Sequence, residues 1–470
     1  MKLGYFKTED FHSALRTFFK NLNVPVNHIA EEPARPQEIL SKTYKKGHPA
    51  FQLMNDVYFL GMVDDAAFEG NAGLAPEKIE SDYDGVLIFG VTLNPRNNDL
   101  LPTRSQLAEI TRSFSREFHY TPVVVVFKYE NHIAFANAER LKYKQEWREG
   151  EKAGKVSLLR DVDLDNPHSG HLRILSELAI SRSGKKAINS FGDLYTYWQD
   201  VFSVSLLNKK FYEELFYWYC WAVKEVTFPS EPTIEDVVKE IGKIDDRRLE
   251  ELKQEHNAKN VIRLLTRFLF VWFIKEKKLI PAQLFHLEFL KNEILKNLSP
   301  YREGGLFKPA NINSHYYKAI LQNLFLATLN QEMGKRAFRK EKQNMNITNL
   351  LRYKRCFKNS QKFINLVEAT VPFMNGGLFE CLDKPHPTKK GKKGGDVIVY
   401  KDGFSDRDDN PLIVPDYLFF GLDEEVDLSS VIGIKNKKTK QAAVNGLINI
   451  FESYKFTIAE NTPIEEDIAL

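Results

Sequence analysis

The chain has 470 residues, 43% hydrophobic and 27% charged, a composition too apolar for wholesale disorder and long enough for about two to four domains with cores of their own. Its 66 basic and 63 acidic side chains leave a net charge of +3, so net charge alone names no partner. Three scattered cysteines, Cys220, Cys356 and Cys381, make neither a disulfide framework nor a Cys-x-x-Cys metal knuckle. Residues 1–10 lack the apolar core of a signal peptide. The longest strongly apolar run, 268–274, is far short of the roughly 20 residues of a membrane span. A reduced, cytoplasmic setting with no membrane partner is the expectation.

In chain order, residues 10–22 place Phe11, Leu15, Phe18, Phe19 and Leu22 near a 3.6 period and predict a helix. The runs 56–63 and 84–93 are rich in β-formers. Pro102-Thr103 opens a helix carrying Leu107, Ile110, Phe114 and Phe118. The near-continuous apolar run 122–127 reads as a strand buried on both faces, with 132–137 as its hairpin partner. Helix–strand–strand–helix–strand–strand predicts an α/β domain with a mixed sheet over 1–180.

From 181 to 372 the pattern turns helical, with helices over 203–226, 233–241, 260–275 and 316–329. In the third of these, Lys259, Arg263 and Arg267 recur at i, i+4 and i+8, where they either snorkel over the rim of an apolar helix or face phosphates. The last hundred residues, 373–470, read as irregular, with a Pro/Gly/Lys-rich loop over 385–395, a short strand over 412–418 and a helix over 440–454. Asn375-Gly376-Gly377 fits a tight turn with positive φ and is read as shaping the junction to the next segment. The acidic stretch at the C-terminus carries no helix stop and reads as cut.

Charge is uneven along the chain. The window 331–362 holds Lys335, Arg336, Arg339, Lys340, Lys342, Arg352, Lys354, Arg355, Lys358 and Lys362 against only Glu332 and Glu341. A local basic patch gains affinity for a polyanion by releasing its counterions. Arg336, Arg339, Lys340, Lys354, Arg355 and Lys358 are therefore the candidate DNA-binding residues; a set of solvated helix faces is the other reading.

Catalytic chemistry is sparse. Asp161-x-Asp163-x-Asp165 begins like a calcium loop, but Asn166 stands where Gly is needed and Leu172 where Glu is needed. His168 and His171 read as the first turn of a helix after Asn166-Pro167. Asp82 and Asp84 enter a strand as the first acid of a nuclease centre would, yet 90–93 lacks the Glu-x-Lys that should follow, and Lys128-Tyr129-Glu130 has those residue types in the wrong order. The Gly70–Gly73 turn is a weak cofactor signal interrupted by Pro76, and no Asn-Pro-Pro-aromatic quartet exists.

Longer stretches carry more information than these short motifs. Residues 156–175, 207–212, 261–270, 317–330, 372–380 and 454–463 together resemble, in collinear order, the N-terminal half of single-chain bacterial DNA methyltransferases of the type IIG restriction–modification kind. The resemblance runs from about residue 84 onward. It implies a restriction or phage-defence system and a degenerate nuclease-like scaffold followed by a helical connector. DNA is then the partner. An adenine-specific methyltransferase domain, with its S-adenosylmethionine site, follows downstream in cis or as a split partner. It places no catalytic, metal or cofactor residue within these 470, so the chain alone is expected to be inactive and to hold no cofactor. A stand-alone, non-catalytic DNA-binding or interaction protein and an active Mg-dependent nuclease domain are the alternatives.

Overall fold

The computed structural model describes residues 2–28, 30, 32–71, 83–95, 100–142, 151–184, 186–302, 313–340, 350–374, 376–390, 396–431, 441–454 and 464–467. They form two compact units. The first is Met1–Lys210 with Glu452–Leu470, and the second is Phe211–Phe451. The segment 373–451, read from sequence as a separate irregular tail, thus shares a unit with the helical residues before it.

The first unit is built on one mixed sheet. Strands β1 (Asn27–His28), β2 (Met54–Asp64), β3 (Gly85–Leu93), β4 (Val123–Tyr129), β5 (His132–Lys142) and β6 (Glu151–Asp163) lie in chain order, and Ile464–Asp467 closes the sheet beside β6. The β3/β4 pair is parallel and every other pair is antiparallel. A parallel pair needs a crossover, and the helix Arg104–Glu117 supplies it. Thr103 starts that helix with a reciprocal capping box to Gln106. Its Leu107, Ile110 and Phe114 pack with Leu87, Phe89, Val91, Val123, Val125 and Phe127 in one buried cluster. On the other face, the helix Phe11–Asn21 is capped by Asp10, and it lies so close that a Cβ on Gly90 would fall 2.4 Å from Leu15 Cδ1. Burial on both faces is what the unbroken apolar runs of β3 and β4 require. Gly61, at φ +153°, marks a bulge in β2 where any Cβ would lie 2.2 Å from the carbonyl oxygen of Asn27.

The second unit is helical, as expected, with helices Ile234–Ile241, Asp246–Glu276 and Ser360–Thr370 and the π-type turns Tyr316–Gln322 and Leu324–Thr328. The helix Val204–Glu225 leads into it. Trp272 and Phe268 meet Phe285 and Phe451 at ring distances of 5.3–6.2 Å. Three readings of the tail are corrected. Residues 385–390 of the expected loop belong to a strand, Lys384–Lys390, paired antiparallel with Asp396–Val399. Residues 412–418 form only an isolated bridge, Ile413 to Thr227, before the short helix Tyr417–Phe420. The single helix expected over 440–454 is a strand, Gln441–Val444, followed by the helix Leu447–Glu452. Among the described residues no helix is long and apolar enough to cross a membrane.

Candidate nucleic-acid interface

The basic window divides into cations that hold the fold and cations at the surface. Arg336 belongs to the first group and is withdrawn as a DNA contact. Its side chain is 0% exposed, and its guanidinium donates to the carbonyls of Gln331 (3.2 Å), Val367 (2.8 Å) and Val371 (2.8 Å). It therefore clasps the C-terminal end of the helix Ser360–Thr370: the Val371 carbonyl lies just past the last turn, and the Val367 carbonyl also accepts the capping N–H of Val371 at 3.0 Å. Arg352 is equally buried, bonded to the Leu350 carbonyl and lying over the Phe404 ring. Lys335 pairs with Glu332, Lys362 with Glu293 and Arg355 with Asp408. Lys342 lies outside the described residues. Arg339 is half-buried, and Lys340, Lys354 and Lys358 are exposed. The Lys358 ammonium also reaches the Lys291 carbonyl at 2.6 Å.

The stripe on the long helix answers neither of its two sequence readings. Arg267 is buried. Its Nη1 donates to Asp402 Oδ1 at 2.9 Å, its Nε to the Leu378 carbonyl at 2.9 Å and its Nη2 to the Glu380 carbonyl at 3.0 Å. Arg263 shares the same Asp402 oxygen at 3.2 Å, and Lys259 is exposed. Arg267 thus fixes the segment after Asn375-Gly376-Gly377, with Arg263 sharing its Asp402. Asn375 lies outside the described residues. Gly376 has φ −122° and Gly377 opens a 3-10 turn, Gly377–Phe379. Neither glycine is left-handed, so the positive-φ turn expected there is corrected. Asn330 holds the same turn by donating to the Phe379 carbonyl at 2.6 Å.

Asp383 organises the next loop by accepting the backbone N–H groups of Lys401, Asp402, Gly403 and Phe404 at 2.6–3.2 Å. Tyr353, left-handed at φ +60°, accepts the Ser405 N–H, and its hydroxyl lies 2.8 Å from both Gln322 Oε1 and the Gly403 carbonyl. Beside this network is a polar cavity of about 220 Å³ lined by His315, Lys318, Arg355, Cys356, Arg407 and Asp408 among others. Beneath it, the fully buried Asp416 accepts the N–H groups of Tyr316 (2.8 Å) and Ser299 (3.1 Å). Burial pushes its carboxyl up to about 8, against the pull of those donors. Burial also raises the Cys356 thiol, which argues against a reactive cysteine there. Of the sequence candidates, only Arg355 lines this cavity. Lys318 lies in the 317–330 stretch but was not read as a site residue, and His315 and Arg407 come from segments that carried no motif.

The metal and nuclease candidates are also placed. His168 caps the helix Ser169–Glu177 through Nδ1, which accepts the Gly170 N–H at 3.0 Å. Asp163 accepts the amides of Asp165 and Asn166, closing a turn, and Asp161 Oδ1 accepts the Tyr129 hydroxyl at 2.9 Å. Among the described residues no three His, Cys, Asp or Glu side chains are grouped to hold a metal. Asp82 lies outside the described residues, and Asp84 is exposed at the start of β3. Its neighbour at the end of β2, Asp64, is buried. It caps the helix Asp65–Glu69 and accepts the Tyr83 hydroxyl. At the opposite sheet end Lys128 faces Thr92, and Thr92 Oγ1 receives the Asp56 N–H at 3.0 Å. A threonine stands there between one acid and one lysine. Gly70, at φ +79°, terminates the Asp65–Glu69 helix, so that turn ends a helix and does not open a cofactor loop. The chain matches no protein-family model, no curated protein and no solved structure.

Proposed function

We propose that the chain is the N-terminal DNA-handling and connecting part of an S-adenosylmethionine-dependent adenine-N6 DNA methyltransferase of the type IIG kind, built on a nuclease-derived scaffold without a cleaving centre. The observation that carries this reading is the collinear resemblance of its longer stretches to that family. Three of those stretches meet in the fold. Arg267 of 261–270 donates to Leu378 and Glu380 of 372–380, and Asn330 of 317–330 donates to Phe379. The mixed sheet, with its one parallel pair joined by a helix, supports the scaffold half of the reading. Asp64 serving as a cap, with no acid-x-Lys on β3, supports the loss of cleavage.

The experiment is methylation by the intact gene product. The frame beyond codon 470 should encode a Gly-rich cofactor turn and an Asn-Pro-Pro-aromatic quartet, and deleting the gene should remove N6-methyladenine from host DNA. A methylation pattern unchanged by deletion overturns the proposal. Filter binding tests the interface separately. The half-buried Arg339 and the exposed Lys340, Lys354 and Lys358 should together give a slope of log K against log salt of roughly −3 to −4, at about −0.9 per phosphate contact. Reversing all four to Glu should abolish most binding, and an unchanged slope would place DNA contact elsewhere.

A further inference from the structure

Among the described residues Lys318 has no ion-pair partner. It is half-buried, and its ammonium makes no hydrogen bond or ion pair with any described residue. Burial pushes its pKa down, and the charged or titratable groups that act on it are the Cys356 thiol, Arg355 and Asp416. Asp416 already accepts two backbone N–H groups and does not reach the ammonium. A desolvated charge of this kind is costly unless something satisfies it. Lys318 opens onto the cavity of about 220 Å³ that Arg355 and Arg407 also line, room for several waters at about 30 Å³ each, or for one oxyanion in their place.

We propose that this cavity binds a phosphate group, free or as part of a phosphodiester, with Lys318 as its fixed charge and the Arg355 and Arg407 guanidiniums as its clamps. Guanidiniums match phosphate oxygens in pairs, while a lysine acts as a point charge. His315 also lines the cavity, its ring held by Nδ1 at 3.0 Å from the Asn297 carbonyl. In the structure Arg355 pairs with Asp408 and Arg407 with Asp409. Those acids are 93% and 67% exposed, and exposed pairs are worth little. A bound phosphate displaces them at small cost. A second cavity, lined by Pro229, Ile398, Tyr400 and Pro411, shares Ser405, Arg407 and Asn410 with the first. It gives the rest of a nucleotide a mixed recess, with the Tyr400 ring and Pro229, Ile398 and Pro411 beside Ser230 and Asp409. The site stands apart from the methyltransferase reading, because it would bind free phosphate whether or not the chain serves a methyltransferase.

The test is calorimetric titration of the 470-residue chain with inorganic phosphate at physiological salt. Saturable binding at millimolar concentration is expected. Lys318→Met should weaken it about tenfold or more, the worth of one charge-assisted hydrogen bond. Asp408→Asn should strengthen it several-fold by releasing Arg355. Lys318→Met should not lower the melting temperature, since it removes an unpaired charge. If it does, Arg407→Gln, at an exposed position, repeats the test. DNA duplex that displaces bound phosphate identifies a phosphodiester as the ligand, and duplex that does not assigns the site to free phosphate or a nucleotide. No saturable binding, or equal binding in every variant, overturns the proposal.

Discussion

In the first unit, β3 and β4 bury nearly every side chain against apolar neighbours, and their polar groups are the backbone pairs of the sheet. In the second, the loop after Gly377 and the one around Gly403 are pinned by charged and polar side chains: Arg267 on two carbonyls, Asp402 on Arg267, Asp383 on four amides, Tyr353 on Ser405. The first arrangement spreads stability over many small contacts. The second concentrates it in a few groups, each of which leaves buried partners unsatisfied when removed.

That contrast sets the order of expected effects. The largest should follow loss of a buried carboxylate in the second unit. Asp402→Ala leaves Arg267 buried and uncompensated and should cost about 3–5 kcal/mol. Urea unfolding measures this, and hydrogen exchange should show residues 376–383 opening while β3 and β4 stay protected. Asp416 makes the same point through pH. Between the ordinary carboxyl value of 3.8 and about 8, the folded chain holds a proton that the unfolded chain releases, so its contribution to stability falls as pH rises through that window. The stability difference between wild type and Asp416→Asn should therefore change with pH in that direction across pH 4–8, and a pH-independent difference would refute it. Of the same kind is Asp383→Ala, which orphans four amides already folded into a loop and should cost about 1–3 kcal/mol for each one that water does not reach. Smallest is a trim of the sheet core. Ile88→Val, at a fully buried site, should cost about 0.5–1.5 kcal/mol. If Ile88→Val equals or exceeds Asp383→Ala in the same denaturant series, the contrast between the units fails.

The same contrast explains what the sequence made legible. Strands expected at 56–63, 84–93, 122–127 and 132–137 fall within or nearly on β2 to β5, because continuous or alternating apolar runs report strand burial directly. The helices expected over 10–22 and from Pro102-Thr103 begin there, with Asp10 and Thr103 as their N-caps. β6 was not read as a strand: its Asp161 and Asp163 drew attention to metal chemistry, although the run from Val156 to Leu159 is buried. In the second unit, periodicity gave the helices but not what fastens them. Arg263 and Arg267 looked like a rim or a phosphate stripe because their partner, Asp402, lies 135 or more positions away. Charge counting failed at Arg336 for a related reason. A guanidinium that caps a helix end and one that faces solvent contribute equally to net charge, and only the fold separates them. The cavity around Lys318 was not legible as a site, although Arg355 was a candidate, since three segments far apart in the chain supply its lining.

The strand Ile464–Asp467 has a consequence for how the chain is made. It pairs with β6 through Ile464 and Leu159, so the sheet waits for a segment synthesised some 300 residues after its neighbour, a separation that slows closure. While the ribosome is still delivering the second unit, β6 stands as an open edge able to pair with any other strand nearby. The nascent first unit is therefore most exposed to mispairing during that interval, and a chaperone that covers sheet edges would be expected to engage it there.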